Sequence, residues 1–184
     1  MSLSHQEAQE SLKNVEQAER RSAQAYGYHA SAPHLIIWGL VWFFGYGATD
    51  LRPDLAGIIW PGVILAGVAA GTFVGSRSRS GHGDPKQMWR FLGLALTIFV
   101  FIAATMAILQ PASGAQQGAF VPLLVGAIYV AMGLWVGARF VAAGLAIIAL
   151  TLGGYFLLRE HFLLWMAFVG GGGLILAGFW FRRV

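Results

Sequence analysis

The sequence predicts an all-α membrane protein of six transmembrane helices, preceded by a short cytoplasmic helix. Three observations predict it. Apolar residues fall in long blocks, basic residues cluster on alternate connections, and tryptophans lie near block ends. The chain is 57% hydrophobic and 11% charged, whereas a soluble domain carries about 25% charged residues. Apolar runs of about 18 residues or more read as membrane spans.

Residues 1–30 form a polar segment without a signal-peptide pattern, so the first span is expected to direct insertion. Ser4 and Glu7 have capping-box spacing. Glu7 and Glu10 precede Arg20 and Arg21, an order that suits a helix dipole, and Glu16 pairs with Arg20 at i,i+4. The apolar stripe of Ala8, Leu12 and Val15 is thin. These features predict a solvated helix of about 20 residues ending near the membrane, too short for an independent domain. Pro33 is expected in the first turn of the next helix, where its missing N–H costs nothing.

The transmembrane domain is expected over 31–184, with spans at 31–49, 55–75, 91–109, 119–137, 140–158 and 162–181. Asp50, Arg52, Pro53 and Asp54 predict a tight charged turn. Residues 76–90 form a basic loop, 110–118 an uncharged one, and Arg159, Glu160 and His161 a final turn. Ten Lys and Arg residues fall on the side of the N-terminal segment and the 76–90 loop; only Arg52 and Arg159 fall on the other. That bias predicts cytoplasmic N- and C-termini. Trp60 and Trp165 then lie near outer span ends, and Trp89, Trp135 and Trp180 near inner ones, as interfacial belts do.

Segments 34–77, 89–139 and 139–182 also read as three two-helix hairpins of one orientation, a parallel repeat. Arg90-Phe91 and Arg139-Phe140 open the second and third hairpins alike. Gly, Leu and Ala are abundant enough to give such matches by chance.

Composition excludes several chemistries. The chain has no cysteine, hence no disulfide, thiolate nucleophile or cysteine metal site. No expected span holds Asp, Glu, Lys or Arg in its apolar interior, which argues against proton relays and paired-carboxylate catalysis. Neither a phosphate loop nor a dinucleotide fingerprint occurs. The spacing of His29, His34, His82 and His161 does not require them to meet at a metal or haem. No enzyme activity, cofactor, metal or nucleic-acid partner is expected. Two lysines against ten arginines, with abundant alanine and glycine, point to a GC-rich bacterial source. The expected location is the inner (cytoplasmic) membrane.

Two features could form a ligand site. His34, Trp38, Trp42 and Tyr46 recur every fourth residue and line one side of the first span. They read either as an aromatic wall for an apolar or cationic ligand or as helix packing. Gly170, Gly171, Gly172 and Gly173 fall near the middle of the sixth span. They mark either a functional break in the helix or a smooth contact surface. A pure contact surface should accept alanine at Gly171 and Gly172 but not leucine at Gly172. Gly67, Gly71 and Gly75, Gly133 and Gly137, and Ala138, Ala142 and Ala146 form small-residue ridges for packing within the chain or in a homo-oligomer. Arg77, Arg79, Lys86 and Arg90 are expected to meet anionic lipid headgroups.

Together these features predict an accessory, sensor or regulatory membrane protein. Its cytoplasmic segment would engage a protein partner and its basic loop anionic lipid. The alternative is a channel or facilitator for a small neutral or hydrophobic solute.

Overall fold

The structure, a computed structural model, describes residues 5–78 and 85–183. Ser4, Arg79 and His82 lie outside the described residues, as do the side chains of Glu7, Glu10, Arg20, Lys86 and Arg90. The described chain is helical and contains no strand. Among the described residues, four helices are long and apolar enough to cross a membrane: Pro53–Gly75, Gly114–Val136, Ala138–Leu157 and Arg159–Phe181. The chain is a membrane protein on that ground. Every backbone polar group must be satisfied where water is absent, and a helix satisfies its own.

Helix α1 (His5–Leu51) runs unbroken through 47 residues, about 70 Å at the α-helical rise. This corrects the expectation of a separate N-terminal helix ending near the membrane, and of Pro33 in a first turn. Pro33 lies inside α1. An interior proline is tolerated where neighbouring helices hold the backbone. Here Ala32 and Leu35 on either side of Pro33 are buried among other helices.

A 3₁₀ turn (Pro53–Leu55) leads into α2 (Ala56–Ser78), with Pro61 inside it. Helix α3 (Pro85–Leu109) follows, then α4 (Gly114–Val136) with Pro122 inside. Ser113 caps α4, its hydroxyl accepting from the Gln116 N–H at 3.3 Å. Helix α5 (Ala138–Leu157) starts after a single residue, Gly137. A short turn (Arg159–His161) leads to a last rod in three parts: α6 (Phe162–Trp165), a π-helical segment (Met166–Gly171) and α7 (Gly172–Phe181).

Helix α1 is central. It packs against α2 on one side and the 162–181 rod on the other, while α4 and α5 pair with each other. In lipid such contacts rest on close backbone approach rather than on the hydrophobic effect. A Cβ on Gly171 would lie 2.8 Å from both the Gly39 carbonyl oxygen and the Phe43 nitrogen. One on Gly178 would lie 2.9 Å from the Ala32 carbonyl oxygen, and one on Gly144 2.6 Å from that of Gly126.

Of the expected ridges, Gly67 meets Val41 and Gly71 meets His34 across the α1–α2 contact, while Gly75 faces open space. Gly133 lies at the α4–α5 contact, but Gly137 is the turn between those helices. Ala138, Ala142 and Ala146 are exposed; α5 instead buries Ala143, Gly144, Ile147, Thr151 and Gly154. A one-residue offset turns a helix face by 100°, so i,i+4 spacing alone cannot choose between adjacent rows.

Among the described residues, helix α3 stands largely apart. Leu94, Leu96, Phe99, Val100 and Ile108 are exposed, and Phe101 meets Phe120 of α4 at 6.4 Å between ring centres. The pairing of α4 with α5 is far closer than that of α3 with α4, so packing does not follow the three-hairpin division.

Candidate functional site

Two tyrosines tie α1 into the bundle. Near one end of the bundle, the Tyr46 hydroxyl donates to the Gly118 carbonyl at the start of α4, at 2.6 Å. Near the other end, the Tyr28 hydroxyl accepts from the Arg139 backbone N–H at the start of α5, at 3.3 Å. Eighteen residues of helix separate them, about 27 Å along the axis, close to the thickness of a bilayer's hydrocarbon core. Each tyrosine buries its ring and spends its hydroxyl on a backbone group.

The Tyr28 joint is the more elaborate. Gly137 has φ +148°, a conformation that L side chains rarely adopt, and a Cβ there would collide with the Tyr28 hydroxyl. Glycine therefore permits both the one-residue turn and the approach of α1. The Tyr28 ring packs on Phe140 and Phe181 at 5.8 and 5.1 Å between centres. The Arg139 guanidinium lies 5.4 Å from the Tyr28 ring centre and 4.9 Å from that of Trp180. It also donates to the Trp180 carbonyl at 2.7 Å, capping the last turn of α7. Sequence reasoning missed this joint. The available signal was the conjunction of an aromatic on the polar segment with the Gly137-Ala138-Arg139 junction.

Beyond Tyr28, α1 projects as a polar helix. Leu12 and Val15 on it are exposed, as is Tyr26. Gly27 still abuts Val136 and Gln24 lies near Gly137, so residues 5–23 extend about 29 Å beyond the bundle.

The first-span residues do not share one environment. His34 is exposed and Trp38 half-buried, whereas Trp42 and Tyr46 are only 4% and 2% exposed. Tyr46 packs edge-on against Trp60 at 4.9 Å and Trp42 at 6.1 Å. Trp42 borders Gly170. Trp60 is thus engaged with α1, and Trp165 donates its Nε1–H to the Leu150 carbonyl at 2.9 Å. Trp89, Trp135 and Trp180 are exposed.

The four glycines divide. The 162–181 rod continues through them, with Gly170 and Gly171 ending the π segment. Gly171 faces α1 at backbone contact, and Gly170 faces Met166 and Trp42. A Cβ on Gly172 or Gly173 would meet nothing within 4 Å. This corrects the substitution expectation at Gly171, which cannot accept a methyl without movement of α1, whereas Gly172 has room for one. Nothing in the structure explains Gly172.

Between α5 and this rod lies an apolar cavity of about 60 Å³. A larger surface hollow of about 390 Å³ lies at the α3–α4 turn, lined by Gln110, Gln116, Phe120 and neighbours. Among the described residues, no three of His, Asp and Glu are placed to hold a metal. Arg77 is exposed, its guanidinium 4.3 Å from the Phe73 ring centre. In the 51–55 turn, Arg52 and Asp54 pair at 2.8 Å, and the guanidinium holds the Asp54 carboxyl below the usual carboxylate range.

Comparison with protein-family models, curated proteins and solved structures finds no match to this chain.

Proposed function

We propose that this is a non-enzymatic accessory or sensor protein of the bacterial inner membrane, with six spans and cytoplasmic termini. Helix α1 serves as a rigid arm carrying the state of the bundle to a cytoplasmic partner. The observation that supports this reading most is the continuity of α1. One helix is tied into the bundle at Tyr46 and Tyr28 and continues as an exposed polar rod. The two ties lie about one hydrocarbon thickness apart, which supports a first span in this part of α1, as expected over 31–49. The apolar part of α3, Leu96–Leu109, extends to 91 in sequence and supplies the third. Arg77 lies in the last turn of α2 and Lys86 and Arg90 in α3 instead of in one loop; in this reading they and Arg79 meet anionic lipid headgroups.

The channel alternative draws less support, because Trp42 and Tyr46 are occupied in helix contacts. The deciding experiment is affinity capture from native membranes with the full chain and with residues 1–25 deleted, beside a liposome flux assay. The proposal expects a stoichiometric partner with the full chain, none with the truncation, and no flux. Flux of a small neutral solute without a partner would favour the channel.

A further inference from the structure

The cavity between α5 and the 162–181 rod stands apart from the cytoplasmic arm, and an occupant there is independent of any role of that arm. It is lined by Met166, Gly170, Gly173 and Leu174 of the rod and by Ala143 and Ile147 of α5, among others. Every lining residue is apolar or glycine. A cavity without polar partners does not hold water well and instead takes apolar guests.

Two features of the rod open this space. The π winding of Met166–Gly171 displaces the helix surface from its α-helical course, a distortion frequent at functional sites. Gly170 and Gly173 place no side chain on the wall. Packing against α1 explains Gly171 but not Gly173. A methyl at Gly173 would meet no atom within 4 Å, and φ there does not require glycine. Alanine would stabilise a helix by about 1 kcal/mol at such a position. The retained space is therefore not required by contacts within the chain.

The cavity reaches the side of the bundle. Ala146 is exposed, and Val169, Gly173 and Ala177 are half-buried. Gly170–Gly173 lie half-way along the candidate span Arg159–Phe181, at the depth where the methyl ends of lipid chains meet. An apolar opening at that depth faces hydrocarbon, not water.

We propose that this cavity is a binding site for the end of a hydrocarbon chain. The chain belongs either to a bilayer phospholipid or to a free fatty acid. The terminal carbons lie between Ile147 and Met166, with Gly173 at the mouth.

The test uses the full chain reconstituted in phosphatidylethanolamine–phosphatidylglycerol vesicles. One arm includes phospholipid carrying a diazirine at the acyl terminus; the other includes a fatty acid with the same group. After photolysis, adducts are mapped by mass spectrometry. The exposed residues Phe168 and Leu176 report ordinary lipid contact in both arms. Adducts on buried Met166 and Ile147 report occupancy of the cavity. Labelling in the phospholipid arm assigns the occupant to the bilayer; labelling in the fatty-acid arm alone assigns it to the free chain. Gly173→Leu should abolish the Met166 and Ile147 adducts while those on Phe168 and Leu176 persist. Gly173→Ala, which has room for its methyl, should fold and reduce them. Absence of Met166 and Ile147 adducts in both arms overturns the proposal, as does their persistence in a folded Gly173→Leu protein. Should that variant fail to fold, undiminished adducts in Gly173→Ala overturn it.

Discussion

Among single residues, the position of each glycine decides its role. Gly39 and Gly171 face each other across the α1 crossing, and a Cβ on either would come within 3.0 Å of backbone atoms. Gly171→Ala and Gly39→Ala should each destabilise the bundle by about 1–3 kcal/mol, as overpacking does. Gly172→Ala should be neutral or stabilise by up to about 1 kcal/mol. Thermal unfolding in detergent separates the two classes. Equal melting temperatures for Gly171→Ala and the parent would show that the crossing is not this close. The run's unusual character was legible from composition, but its division was not. Adjacent helical residues point 100° apart, and the partner face on α1 is invisible to a local reading.

The Arg52–Asp54 pair permits a second test on single side chains. The guanidinium hydrogen bond lowers the Asp54 pKa. The pair therefore favours the folded turn above the ordinary carboxylate range, and that contribution fades as pH falls through the lowered value. Arg52→Gln should return Asp54 titration, followed by carboxyl carbon NMR, toward the ordinary range. An unmoved titration would contradict the pairing.

Among the helices, hydropathy places the later spans well. Spans expected at 55–75, 119–137, 140–158 and 162–181 coincide, within a few residues at most ends, with α2, α4, α5 and the last rod. Long apolar blocks carry their own evidence, because the bilayer sets their length. The expected helix start at Pro33 differs from the structure for a physical reason. Pro33 is a strong local signal for a helix start, but helices packed on both sides of it hold α1 together. Pro33→Ala should therefore preserve α1 and raise thermal stability, by at most about 3 kcal/mol. A fall in stability would show that the ring makes a contact the helix depends on. The π winding was not legible, since nothing in Met166–Gly171 distinguishes it locally from α-helix-compatible apolar sequence.

In the molecule as a whole, the bundle gathers α1, α2, α4, α5 and the last rod, while α3 stands aside. The proposed topology is open to labelling, because the chain contains no cysteine. Single cysteines at Ser2 and Ser78 should react only from the cytoplasm, and one at Ser113 only from outside. Outside access to Ser78 would contradict the six-span reading. The candidate aromatic site was legible as residues but not as an arrangement, because Trp42 and Tyr46 turn inward to partners distant in sequence. The proposed signalling role depends above all on α1 being one rigid body from the bundle to the tip of the polar arm. Spin labels at Val15 and Leu40, both exposed on α1, lie 25 residues apart, about 38 Å along a continuous helix. Electron–electron double resonance on the reconstituted protein should give a single narrow distance near that value. A broad distribution, or a shorter distance from a bend at Pro33, would contradict a rigid arm.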